Sequence, residues 1–143
     1  MSAPVRVARC RTDAEIARCW PVMAQLRPHV AEADFVRRVR ELEPGGFRLA
    51  ALEADGVVRA VAGYRIQDML VSGRQLYVDD LVTDESSRSA GHGRALLAWL
   101  ADEARVEGCR VLELDSGTWR HGAHRFYFRE GMHILGFHFS KAL

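Results

Sequence analysis

A chain of 143 residues, 48% hydrophobic and 27% charged, is long enough to bury one core without disulfides or a structural metal. Its 20 basic and 19 acidic residues leave a formal charge of +1, which argues against a nucleic-acid partner or a membrane-surface role, since both favour a basic excess. No apolar run nears the ~18 residues of a membrane span, and the opening MSAPVRVARCRTD lacks the apolar core of a secretory signal.

Val5-Arg6-Val7-Ala8 alternates as a strand does. Thr12 or Asp13 then caps a helix carrying Ile16, Cys19, Trp20 and Met23. A second helix starts near Asp34, with Phe35, Val36, Val39 and Leu42 on one face, and ends at Glu43-Pro44-Gly45-Gly46. Strands over Phe47–Glu53 and Val57–Ile66 flank Ala54-Asp55-Gly56, a hairpin signal. Gln75–Thr83 is a third core strand, followed by a polar loop over Asp84–Ala90.

Gly91–Glu107 reads as a helix whose stripe is Leu96, Leu97, Leu100, Ala101 and Ala104, with Gly108 as its left-handed cap. Arg110–Asp115 is a strand, Gly122–Glu130 a short helix closed by Gly131, and His133–Ser140 a last strand. No linker or repeat interrupts residues 1–143, so one domain is expected. The order is that of a mixed α/β layered fold, with a parallel right-handed βαβ unit over Gln75–Asp115.

Arg88-Ser89-Ala90-Gly91-His92-Gly93-Arg94 lies between a strand and a long helix. Glycines there let backbone approach a ligand, and the first helical N–H groups, with the helix dipole behind them, suit a phosphate or pyrophosphate. Arg88 and Arg94 add charge. A Walker loop is excluded because no Gly-Lys occurs, and the dinucleotide fingerprint fails because Leu96 stands where a small residue is needed. The rival reading is a structural turn packed with glycine.

Gln75–Thr83, the polar loop, Arg88-x-x-Gly91-x-Gly93 and the amphipathic helix together resemble the GNAT family of acyl-CoA-dependent N-acetyltransferases. Ala123-His124-Arg125-Phe126-Tyr127-Phe128-Arg129-Glu130-Gly131-Met132 resembles a second segment of that family, and Val61-Ala62-Gly63-Tyr64 its preceding hairpin strand. The resemblance covers Phe47 to Phe139. Arg120 replaces a common Asn, and Met132 a common Phe.

The resemblance implies a mostly antiparallel central sheet with one splayed parallel pair and flanking helices. It also implies acetyl transfer from acetyl-CoA to a primary amine, by direct attack in a ternary complex without a metal. Leu81, Val82 and Thr83 would meet the pantetheine arm and thioester through backbone groups, and Arg88, Ser89, Ala90, Gly91, His92, Gly93 and Arg94 the pyrophosphate. Tyr127 would protonate the leaving thiolate. Asp79 is the favoured base, with Asp80, Glu113 and a water relay as rivals. Adjacent residues of a regular strand point to opposite faces, so Asp79 and Asp80 are expected to diverge.

The resemblance further implies an acceptor that is a small-molecule amine or a protein amino group, and a homodimer is common in the family. The rival from another class is a non-catalytic acyl-CoA-binding or sensor module. His121 and His124 lack a third metal ligand at suitable spacing, and Arg37-Arg38-Val39-Arg40 among acidic neighbours reads as a solvated helix face. Cys10, Cys19 and Cys109 form no C-x-x-C pair and are read as free thiols of a reducing cytosol. Lys141 is the only lysine, an arginine bias typical of GC-rich bacterial coding, and the lack of Asn removes any N-glycosylation sequon.

Overall fold

The computed structural model describes residues 4–143; the first three residues of the opening segment lie outside the described residues. Strand β1 (Val5–Arg9) leads to helices α1 (Asp13–Ala17), α2 (Trp20–Leu26) and α3 (Glu32–Leu42). Thr12 caps α1 as expected: its hydroxyl accepts from Glu15 N–H, and the Glu15 carboxylate accepts from Thr12 N–H. The single helix expected to carry Ile16, Cys19, Trp20 and Met23 is two. Pro21 has no N–H to give to the Ala17 carbonyl, so α1 ends at Ala17 with Arg18 as its cap, and the chain restarts with Pro21 in the first turn of α2.

Strands β2 (Phe47–Ala54) and β3 (Val57–Met69) flank a tight turn in which Asp55 and Gly56 both take positive φ, 54° and 74°. Strand β4 (Gly73–Thr83), helix α4 (His92–Val106), strand β5 (Val111–Leu114) and helix α5 (His121–Arg129) follow. Of the expected α4 stripe, Leu96, Leu97, Leu100 and Ala104 are buried and Ala101 is half-buried.

The sheet order is β1-β2-β3-β4-β5, with β4 and β5 parallel and the other pairs antiparallel. The expected mixed α/β class is therefore found. Register assigns the faces. Phe47, Leu49 and Ala51 of β2, Val61 of β3 and Val82 of β4 share one face, packed with Ile16, Val22, Met23, Phe35 and Val39 of the N-terminal helices. The other face carries Tyr64, whose hydroxyl donates to Glu103 of α4 at 2.8 Å and whose ring meets Trp99 edge-on.

The chain gathers into two compact units, with the boundary between Glu113 and Leu114. The second contains α5 and the C-terminal segment. The strand expected over His133–Ser140 does not form, and the segment joins no ladder. Alternating apolar residues give it strand propensity, but a strand exists only where a neighbour accepts its hydrogen bonds. Its Phe137 and Phe139 stay 84% and 91% exposed. Among the described residues no helix is long and apolar enough to cross a membrane.

Candidate active site

Strand β4 is interrupted once. Leu81, Val82 and Thr83 pair with Ala62, Val61 and Ala60, and Asp80 pairs with Gly63, but the next pair is Val78 with Tyr64. Asp79 is thus an extra residue, a β-bulge. The bulge shifts the alternation. Before it, Val78 shares the α4 face with Tyr64; after it, Asp80 shares the face of Gly63 and Val61, toward the N-terminal helices. Without the bulge Asp80 would follow Val78 onto the α4 face.

The expected divergence of the two carboxylates is accordingly not observed. Both are held by arginines associated with the N-terminal-helix face. Asp79 accepts from Arg65 through both oxygens, at 2.8 Å from Nε and 2.6 Å from Nη2, and the Arg65 guanidinium lies 5.5 Å from the centre of the Tyr77 ring. Arg27, at the end of α2, donates from Nε to Asp80 Oδ1 at 2.8 Å and from Nη2 to the Asp79 carbonyl at 3.0 Å. One guanidinium therefore fastens the bulge backbone and the following carboxylate together.

The Asp80 side chain is only 14% exposed. Burial pushes its carboxyl above the usual aspartate value, and the Arg27 guanidinium opposes that shift. Gly63 makes the burial feasible: a Cβ there would overlap Asp80 Oδ2 and come within 2.8 Å of the Phe47 ring.

Leu81–Thr83 pairs with β3 on one side only. Arg110 N–H donates to the Arg74 carbonyl at 2.8 Å, and a parallel neighbour advances in step, so β5 ends short of Leu81. Half the backbone groups of this stretch face away from a strand partner.

The loop that follows is pinned before it reaches the glycines. Asp84 accepts from Gln25 of α2 at 3.0 Å, from Arg59 at 3.1 Å and from the Ser86 hydroxyl at 2.9 Å, while Gln25 accepts from Glu85 N–H. These donors, led by Gln25, hold the Asp84 carboxyl down at about 2. Arg88, Ser89 and Ala90 are exposed beyond this anchor. Ser89 takes φ 72° and Gly91, the N-cap of α4, φ 82°. The first intrahelical bond of α4 runs from Ala95 N–H to the Gly91 carbonyl, so the N–H groups of His92, Gly93 and Arg94 precede the helical ladder. His92 Nδ1 is buried and has no hydrogen-bond partner among the described residues.

Tyr127 belongs to the second unit, in α5. Its ring meets Phe126 edge-on at 5.4 Å, and its carbonyl accepts from Met132 N–H in the turn closed by Gly131 at φ 81°. Burial raises the phenol pKa, with Arg120 opposing. Ala123, four residues earlier, lies on the same helical face.

Other candidates resolve into local structure. His124 Nε2 lies 2.8 Å from the Gly117 carbonyl, and its ring meets His121 edge-on. Arg37 pairs with Asp34 and Glu41, and Arg40 with Asp13 and Glu43, the solvated face that was expected. Sequence reasoning missed Arg27 and Arg65 as partners of the two aspartates. It also missed the reason for Gly63, although an isolated glycine inside a strand is a standing signal of a bulge or a close approach.

The family model described as acetyltransferase (GNAT) family matches residues 12–132. An uncharacterized N-acetyltransferase of Bacillus subtilis strain 168, YhdJ, is 30% identical over 139 residues, covering 96% of this chain and 98% of its own. The aminoalkylphosphonate N-acetyltransferase of Salmonella typhimurium is 42% identical over 66 residues, 46% of this chain and 43% of that protein. Aminoglycoside N-acetyltransferase AAC(6')-Iy, solved in complex with CoA, has the same fold. It superposes with a TM-score of 0.88 at 16% identity, over 100% of this chain and 97% of that one.

Proposed function

The chain belongs to the GNAT acetyltransferase family, and from that premise we propose that it transfers the acetyl group of acetyl-CoA to a primary amine, by direct attack in a ternary complex. The observation that carries this reading is the bulge at Asp79, which turns the largely buried carboxylate of Asp80 toward the N-terminal helices beside a strand end whose backbone is paired on one side only. The start of α4 suits a pyrophosphate: Gly91 is left-handed with open space around it, and His92 Nδ1 is a buried polar atom without a partner among the described residues.

In this reading the N–H groups of Gly91, His92 and Gly93 hold the pyrophosphate, and Arg88, Ser89, Ala90 and Arg94 border it. A backbone N–H near Leu81 or Val82 takes the developing oxyanion, with Thr83 next to it. Asp80 is the base. Asp79, the residue first favoured, has both oxygens on Arg65, whereas Asp80 has one on Arg27 and the other against Gly63. Asp79 then keeps Arg65 in place. Tyr127 donates a proton to the departing sulfur. Its raised pKa keeps it protonated at neutral pH, and because a thiol titrates near ~8.5 the transfer must be concerted with C–S cleavage.

The family match crosses the boundary at Glu113, in keeping with one catalytic domain over 1–143. Both aspartates are paired with arginines, which favours a monoamine bearing an anionic group, such as an aminoalkylphosphonate, over a polyamine. A bacterial cytosol and a homodimer complete the proposal. The test is thiol release from acetyl-CoA over a panel of aminoalkylphosphonates, amino acids, polyamines and peptides, with Tyr127→Phe alongside. Turnover is expected for at least one amine, and kcat in the variant should fall by ~10² to 10⁴ with CoA affinity unchanged. Tight CoA binding without turnover on any amine would instead make the chain a binding module.

A further inference from the structure

Cys10 and Cys19 stand nine residues apart, yet the fold brings their sulfurs to 3.6 Å. Cys10 follows β1, its N–H donating to the Leu49 carbonyl, and Cys19 sits in the turn between α1 and α2. Cys19 is fully buried in the core beneath the N-terminal helices, while Cys10 is half-buried and lines a surface pocket with Arg9, Glu15 and Glu53. A small solute can therefore approach Cys10 from the surface, whereas Cys19 is closed off.

We propose that Cys10 and Cys19 are an oxidative modification site, a dithiol that a small hydroperoxide converts to an intramolecular disulfide. Cys10 is the nucleophile because it lines the pocket while Cys19 is buried, and the hydrogen bond the two thiols share acts in the same sense, lowering the pKa of Cys10 and, together with burial, raising that of Cys19. In the first step the Cys10 thiolate attacks a peroxide oxygen, the O–O bond breaks, and Cys10 becomes a sulfenic acid as hydroxide leaves and takes up a proton. In the second, the Cys19 sulfur loses its proton and attacks the Cys10 sulfur; the S–O bond breaks and water departs. Two thiols are oxidised by two electrons, and one hydrogen peroxide is reduced to two waters.

A disulfide is ~2.05 Å long, so the sulfurs must close by about 1.5 Å from their 3.6 Å separation. Both residues lie at junctions between elements, Cys10 just after β1 and Cys19 between α1 and α2. Cys109 follows α4, its N–H bonded to the Ala104 carbonyl, and supplies an internal control.

The purified chain, reduced and then treated with a small excess of hydrogen peroxide, is denatured and alkylated with a maleimide. Intact mass should show the labelled thiols fall from three to one, with full recovery after dithiothreitol. Tryptic mapping should join the fragment holding Cys10 to the fragment that starts at Cys19. In Cys19→Ser a dimedone adduct should appear on Cys10; should that variant not fold, mapping of the native chain decides alone. Retention of three thiols, a mixed set of disulfides including Cys109, or direct passage of Cys10 to the sulfinic acid would overturn the proposal.

Discussion

The two adjacent aspartates differ in what they are free to do. Asp79 spends both oxygens on a guanidinium that also stacks on Tyr77, whereas Asp80 is largely buried with a raised pKa. A base must be ionised to act, so the acid limb of kcat/KM should lie above the ordinary aspartate range and disappear in Asp80→Asn. That variant is expected to lose ~10² to 10⁴ in kcat/KM for the amine, with unchanged CoA affinity by calorimetry. Asp79→Asn should lose about tenfold, equivalent to ~1.4 kcal/mol, since it acts through Arg65. The opposite ranking in steady-state kinetics would return the role of base to Asp79. The identity of these residues was legible from the sequence, but their division of labour was not. It depends on Arg27 and Arg65, each more than a dozen residues from its aspartate in sequence, and on a one-residue shift of register that no periodicity announces.

At the level of elements, the strand after the bulge, the pinned loop and the start of α4 form one continuous path from Asp79 to Arg94. Gly93→Val places a branched side chain at the helix start and should weaken CoA binding by more than tenfold with little change in Tm, because valine is tolerated in a first turn. An unchanged affinity would detach the loop from the cosubstrate. The Asp84 anchor has a defined pH window. Its folded pKa is depressed from 3.8 to about 2, so its stabilisation is fully present above about 4 and is lost as pH falls toward 2. Helix α4 and the Asp55-Gly56 hairpin were legible because stripe and turn chemistry are local signals. The break at Pro21 was visible as a residue but was outweighed by apolar spacing. The last strand was over-read, since alternation at Leu135, Phe137 and Phe139 records propensity and leaves the partner unspecified.

For the molecule as a whole, that uncovered segment bears on assembly. Ile134, Leu135, Phe137, Phe139 and Leu143 are all largely exposed. At ~150–200 Å² each they approach the ~800 Å² that each partner contributes to a standard interface. A second copy is the expected cover, and light scattering after size exclusion should give a dimer. Phe137→Asp with Phe139→Asp should shift it to monomer without loss of helical signal, and a native chain that runs as a monomer at high concentration would refute the homodimer.

The bulge also gives β4 an uneven response to lost codons. Removal of Asp79 alone leaves Val78 next to Asp80 in simple alternation, and every remaining side chain of the strand keeps its layer. Removal of Tyr77 or Leu81 instead inverts the residues lying between the gap and the bulge, sending Val78 or Asp80 to the wrong side of the sheet. Residue 79 is thus the point in this strand where a drift in length can be absorbed, and its neighbours are points where it cannot.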